Sequence, residues 1–264
     1  CYLCDDAGLS GEDCEYWAQD HNPHLAAMLE SIDDGVGLLV NKLTSLGLSE
    51  NTIFIFSSDN GGETNVTSNA PLRGGKSQLY EGGIRVPMIV CWPKGNVPAG
   101  ANSDHPVVNH DFYPSLLEAA NIEPDPSHIL DGVSTISTWR NPSSPRERQA
   151  LHWHYPLDRP HFLGGISSGA IRKGHWKLIE YFDPARPEKF ELFNLETDPN
   201  EFEDLGQDQD YEKIRTELKD LLLKRLINRK NLLTVDEKFV LKGQDVELSL
   251  IHISEPTRLG MISY

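Results

Sequence analysis

The chain has 264 residues, and 40 acidic against 24 basic residues leave a formal charge of -16. That balance provides no basic stripe able to displace counterions from a nucleic-acid backbone, so no nucleic-acid partner is expected. No run approaches the ~18 apolar residues of a membrane span, and the length allows one large domain or two modest ones.

Three of the four cysteines, Cys1, Cys4 and Cys14, crowd the start. Cys1-x-x-Cys4 lacks a second pair and a nearby histidine cluster and does not read as a zinc site; a disulfide among these three and unpaired thiols both stay open. Asn22 and Pro23 then cap and open a helix over 23–46. Its apolar stripe runs through Leu25, Met28, Leu29, Ile32, Val36, Leu39, Val40 and Leu43, and Gly47 stops it. Thr52 to Phe56 is a continuous β-branched and aromatic run. It predicts a strand buried on both faces, as in a parallel sheet flanked by helices. Val86 to Trp92 predicts a second buried strand, and Asp111 to Ala120 a short helix. Together these elements predict a doubly wound α/β sheet over residues 1–122.

Residues 123–148 are rich in Pro, Ser and Asp and read as a connector. Beyond them Leu151, Trp153 and Tyr155 share one strand face. Ala170 to Arg172 and Trp176 to Tyr181 flank a hairpin turn at Lys173-Gly174, and Phe190 to Leu195 is a further strand. Residues 210–229 return to helical spacing with Leu218, Leu221, Leu222 and Leu226. The stretch 123–230 is therefore expected to form a smaller antiparallel sheet with a helix across it. Residues 231–264 read as a tail. Its last part, 249–264, resembles the conceptual translation of a sequencing-library adapter and is set aside.

Ligands of open α/β sheets bind beyond the carboxyl ends of the strands, where Asp59 and Asn60 stand. A carboxylate beside an amide oxygen suits a hard divalent cation such as calcium, although Asp-Asn-Gly is also an ordinary turn sequence. Downstream, Gly75-Lys76-Ser77 invites a phosphate-loop reading. That reading fails because Ala70 occupies the position of the required first glycine. The glycines instead permit close backbone approach, and Lys76 supplies a compact positive charge.

Ser58-Asp59-Asn60-Gly61, then Leu72-Arg73-Gly74-Gly75-Lys76, then Tyr80-Glu81-Gly82-Gly83-Ile84-Arg85-Val86-Pro87 closely resemble the type I, formylglycine-dependent sulfatases. Asp111-Phe112-Tyr113-Pro114, Asp131-Gly132-Val133-Ser134, Ile171-Arg172-Lys173-Gly174-His175-Trp176-Lys177-Leu178 and Glu191-Leu192-Phe193-Asn194-Leu195 extend the resemblance, in order, over about residues 22–228. It implies an alkaline-phosphatase-like fold and hydrolysis of a sulfate ester on a carbohydrate or aryl alcohol. Calcium would be held in part by Asp59 and Asn60, and Lys76 would bind a sulfate oxygen and stabilise its charge. Glu81 and Arg85 would brace the loop as a buried ion pair. The resemblance also implies export to periplasm, cell surface or a lysosome-like lumen.

The family's formylglycine comes from Cys or Ser in a Cys/Ser-x-Pro/Ala-x-Arg motif upstream of the metal strand. Leaving aside the tail, no such motif occurs. Cys91-Trp92-Pro93-Lys94 is a near miss that follows the second strand, so Cys91 is read as a strand residue. Asp5-Asp6 lacks the preceding apolar strand needed to stand in for the family's other aspartate pair. The chain, which begins at Cys1, is therefore expected to be the C-terminal portion of a sulfatase that is inactive by itself. His152 and His154 share a strand face, and His154 is a candidate at the pocket mouth for substrate specificity. His110 is read as structural, and the sequon Asn65-Val66-Thr67 as a chance match. The rival readings are a phosphodiesterase or phosphonate hydrolase of the same superfamily and a non-catalytic glycan-binding pseudoenzyme.

Overall fold

The computed structural model describes residues 22–145, 148–183 and 185–230, with side chains described to 226. Cys1, Cys4, Cys14, Asp5, Asp6 and the tail 231–264, including 249–264, lie outside the described residues. Helix α1 (Pro23–Ser45) begins as its sequence dictates. The Asn22 side chain accepts from the His24 N–H at 3.1 Å and the Leu25 N–H at 3.2 Å, with Pro23 in the first turn. Gly47, at φ +65°, turns the chain beyond it. No residue of α1 is buried, and its apolar stripe stands open, with Met28 64% and Leu39 60% exposed.

Strands β1 (Phe54–Ser57) and β2 (Met88–Cys91) pair antiparallel, Phe54 opposite Cys91 and Ser57 opposite Met88. The apolar run predicts a strand buried on both faces of a parallel sheet; this pair is antiparallel, and Phe56 and Ile89 are exposed. A parallel return needs a crossover element spanning the sheet. The connection here holds only a four-residue helix, α2 (Glu81–Ile84), so the chain re-enters beside its exit. Cys91 closes β2 as an exposed thiol.

Helix α3 (Phe112–Ala119) follows Asp111, whose carboxylate is 1% exposed and fully engaged. It accepts the N–H groups of Val108 and Val133, each at 3.0 Å, and a two-pronged guanidinium from Arg148. The connector 123–148 is thereby tied to α3, as it is through the Thr135 N–H donating to Ser115 Oγ at 2.9 Å. It contains a further short helix, α4 (Ile136–Arg140). The chain forms two compact units, the first ending at Gln149 and the second starting at Ala150.

The second unit is an antiparallel meander of β3 (Leu151–Tyr155), β4 (Ser168–Lys173), β5 (Trp176–Tyr181) and β6 (Phe190–Asn194). Gly174, at φ +61°, makes the predicted β4–β5 turn and sets Lys173 opposite Trp176. That register aligns Ile171, Leu178 and Leu192 on one face, where Leu218 and Leu222 of helix α5 (Glu212–Lys230) complete a solvent-free core. Each such side chain contributes about 1.5–3 kcal/mol by leaving water.

Lys177 also lies in β5, and its ammonium meets the Glu201 carboxylate at 2.8 Å with both side chains fully buried. Glu201 adopts φ +59°, which its ion pair helps hold. Removing one partner of such a pair strands a buried charge. Lys177→Met should therefore destabilise the second unit by roughly 3–5 kcal/mol, and adding Glu201→Gln should recover much of the loss. Urea titration of both variants, read by tryptophan fluorescence, checks this; equal losses would show that the pair is not the cause.

Candidate active site

The loop leaving β1 is organised by backbone meeting backbone. Ser58 Oγ donates to the Asn60 carbonyl at 2.8 Å, and the Gly61 N–H reaches the Gly83 carbonyl at 2.9 Å. The Lys76 N–H donates to the Gly62 carbonyl at 3.0 Å, and the Gly82 N–H to the Arg73 carbonyl at 2.8 Å. Such approaches leave no room for side chains. A Cβ on Gly61 would stand 1.7 Å from the Gly82 oxygen, and one on Gly82 2.4 Å from the Gly74 oxygen. The Arg73 guanidinium lies 4.0 Å above the Tyr80 ring and stiffens the turn between them.

Asp59 is exposed, Asn60 half-buried and Lys76 exposed. The loop returns Lys76 to within a backbone hydrogen bond of Gly62, two residues beyond Asn60. Ser77, next to Lys76, is held at φ +72°, and its buried hydroxyl has no hydrogen-bond partner among the described residues. Strain of this kind beside a candidate ligand group is common at working sites. Glu81 is 2% exposed whereas Arg85 is exposed, so the two do not make the buried pair that was expected. What links them is backbone, the Arg85 N–H donating to the Glu81 carbonyl at 2.7 Å.

One organising residue escapes sequence reasoning. The Asn69 side chain accepts from the Gly62 N–H at 2.8 Å and donates to the Gly62 carbonyl at 2.8 Å and the Gly74 carbonyl at 3.1 Å. Asparagine in a glycine-rich loop carries no signal that distinguishes it from an ordinary turn residue.

Asp59 and Asn60 offer two adjacent oxygen donors, a chemistry that fits calcium. No group of three or more His, Cys, Asp or Glu comes together among the described residues, and calcium takes about six to eight oxygens, so a complete shell would need further donors. Cys91 ends β2 and is followed by Trp92-Pro93-Lys94-Gly95, not by the formylglycine motif. The sequence does contain one literal match to the motif, Ser254-Glu255-Pro256-Thr257-Arg258. It falls inside the adapter-like tail, outside the described residues and downstream of every other element.

His154 belongs to the second unit, opposite Gly169 in the β3–β4 ladder. Its ring stands edge-on to Phe182 at 5.6 Å. The residue is exposed to solvent, yet the desolvation its ring still undergoes pushes its pKa below the ordinary value. Burial likewise raises the neighbouring Tyr155 hydroxyl.

The family model described as "N-sulphoglucosamine sulphohydrolase, C-terminal" matches residues 75–228, and that described as "Sulfatase" matches residues 7–122. The chain belongs to the sulfatase family, and its fold is the alkaline-phosphatase-like α/β fold of that family. It is 36% identical over 194 residues to a sulfatase of Formosa agariphila, covering 67% of this chain and 34% of the relative. It is 30% identical over 204 residues to an N-acetylglucosamine-6-O-sulfatase of Bacteroides thetaiotaomicron, covering 75% and 34%. Among solved structures it resembles BT4656 in complex with its substrate D-glucosamine-2-N,6-O-disulfate, with a TM-score of 0.65, 27% identity and coverage of 77% and 40%. The chain thus spans about a third of the length of these two curated relatives.

Two outcomes follow from this geometry. Gly61→Ala drives a methyl into the Gly82 carbonyl, so it should destabilise the first unit by roughly 1–3 kcal/mol and unprotect the Gly61 amide. Hydrogen exchange reads this directly, and wild-type protection would contradict the close approach. The second outcome concerns pH. The folded state resists protonating His154 while the unfolded chain does not, so this group's contribution to stability falls as pH drops below 6.5. Denaturation of wild type and His154→Gln between about pH 7.5 and 5 should give the variant the shallower pH dependence, and identical slopes would assign the effect elsewhere.

Proposed function

We propose that this chain carries the metal-strand and anion-binding part of an enzyme that hydrolyses a sulfate ester, with a sulfated carbohydrate as the favoured substrate. The observation that supports it most is the loop after β1, which ties the backbone of Lys76 to that of Gly62, beside Asp59 and Asn60. The substrate class draws on the names of two similar proteins, the N-acetylglucosamine-6-O-sulfatase and the D-glucosamine-2-N,6-O-disulfate complex. An aryl sulfate remains the second substrate class.

In this reading Asp59 and Asn60 would hold calcium, the metal supplying Lewis-acid polarisation of the sulfate ester. Lys76 then holds a sulfate oxygen and compensates the charge that grows on it as the ester bond breaks. Its compact ammonium suits a tetrahedral anion, and the backbone bond to Gly62 fixes the residue that carries it. His154, carried by the second unit, is the candidate specificity residue of this reading. The nucleophile belongs to sequence that this chain does not present, and the exposed stripe of α1 and the open faces of β1 and β2 are surfaces that further sheet and helix layers would cover. The surrounding protein is exported to a periplasmic, extracellular or lysosome-like compartment. No described helix is long and apolar enough to cross a membrane.

The chain alone should show no multiple turnover of a chromogenic aryl sulfate with calcium. In a longer protein that carries the nucleophile motif upstream of this segment, Lys76→Ala and Asp59→Ala should each lower kcat by about 10²–10³-fold. Robust turnover by the isolated chain, or wild-type kinetics in both variants, would contradict these assignments.

A further inference from the structure

We propose that Asn69 is the positioning residue of this site: its side-chain amide locks the segment bearing Asp59 and Asn60 to the segment bearing Lys76. What the site binds rests on the sulfatase reading above; what Asn69 does rests on geometry. Gly62 lies two residues after Asn60, and Gly74 two residues before Lys76. Asn69 bridges these two glycines and thereby both flanks of the site. Its Oδ1 and Nδ2 pair with the N–H and C=O of Gly62, each at 2.8 Å, as a neighbouring strand would. The second Nδ2 proton goes to the Gly74 carbonyl at 3.1 Å.

The assignment of oxygen and nitrogen follows from the network. A flipped amide would set oxygen against the two carbonyls and nitrogen against the Gly62 N–H. The Gly62 carbonyl is doubly used, accepting from Asn69 and from the Lys76 N–H at 3.0 Å. The amide and the Lys76 backbone therefore converge on one atom. The packing is close: a Cβ on Gly75 would meet the Gly62 oxygen at 2.5 Å and Asn69 Nδ2 at 2.7 Å. No other side-chain type offers one acceptor and two donors at this reach. Aspartate keeps the bond from the Gly62 N–H but turns both donors into acceptors facing carbonyl oxygens. Glutamine is one methylene too long for the cradle.

The test is NMR on the full chain as it stands, with inorganic sulfate as probe and chloride at matched ionic strength as control. In wild type, sulfate should shift the Lys76 amide and chloride should not. Asn69→Ala should speed exchange of the Gly62 and Lys76 amides by at least about tenfold and weaken the sulfate response at Lys76 by at least about threefold, leaving the β4 and β5 amides unchanged. Asn69→Asp guards against a variant that fails to fold. It should keep Gly62 protected, release Lys76 and weaken the sulfate response. Wild-type exchange at both amides in Asn69→Ala would overturn the clamp. Faster exchange with an undiminished sulfate response would overturn the positioning role. Equal responses to sulfate and chloride in wild type would remove the anion-site reading and Asn69's role in it, while the exchange data alone would still report the clamp.

Discussion

The hydrogen bond from the Lys76 N–H to the Gly62 carbonyl sets the course of the whole loop after β1. It joins residues that are fourteen apart in sequence, and it can form only because glycines flank both ends. Gly61 against Gly82, and Gly75 against Gly62, are contacts in which a single methyl would occupy another residue's oxygen. Loop closure costs entropy, and here a set of backbone bonds and one asparagine amide offsets it. The side chains left over for chemistry, Asp59, Asn60 and Lys76, make none of these bonds with their own functional groups. The scaffold is carried by backbone, so the functional groups of those three residues are not spent on holding the loop.

Electrostatics sharpen the same division. The chain carries a formal charge of -16, so the proposed anionic substrate would meet a repulsive long-range field, damped beyond about 10 Å by salt. A single exposed lysine can bind an anion against that field only when its neighbours are fixed and partner groups share the load. Two buried charges elsewhere are paired: Asp111 takes four donors, and Glu201 meets Lys177. They hold structure within their own units. Glu180, raised by burial and only partly offset by Lys219, likewise belongs to the second unit's packing.

Local signals were legible in the sequence. Asn22-Pro23 capped α1 as read, Lys173-Gly174 turned the hairpin, and the leucines of 210–229 met the sheet through Leu218 and Leu222. The order of motifs from Ser58 to Pro87 named the family before any coordinate did. Pairing direction was not legible, because an apolar run such as 52–56 states burial and not which neighbour provides it. The depth of Lys177 was hidden for a related reason: a lysine between apolar strand residues reads as a solvent-facing alternate until its carboxylate partner, 24 residues on, is placed. Asn69 was hidden because its three bonds go to backbone, which leaves no trace in residue type. The buried Glu81–Arg85 pair was expected from the family resemblance, whereas Arg85 closes the short helix on the exposed side.

The central claim is that Asp59 and Asn60 share one end of β1 with Lys76 and form one ion-binding locus. Gadolinium(III), a hard cation with calcium-like preference for oxygen, tests it most directly through paramagnetic broadening of amide signals. Substoichiometric gadolinium should broaden Ser58 to Gly62 and, across the loop, Gly75 to Ser77. It should lose its effect in Asp59→Ala. Broadening that spares Gly75 to Ser77, or that spreads over the acidic surface regardless of Asp59, would contradict a shared site.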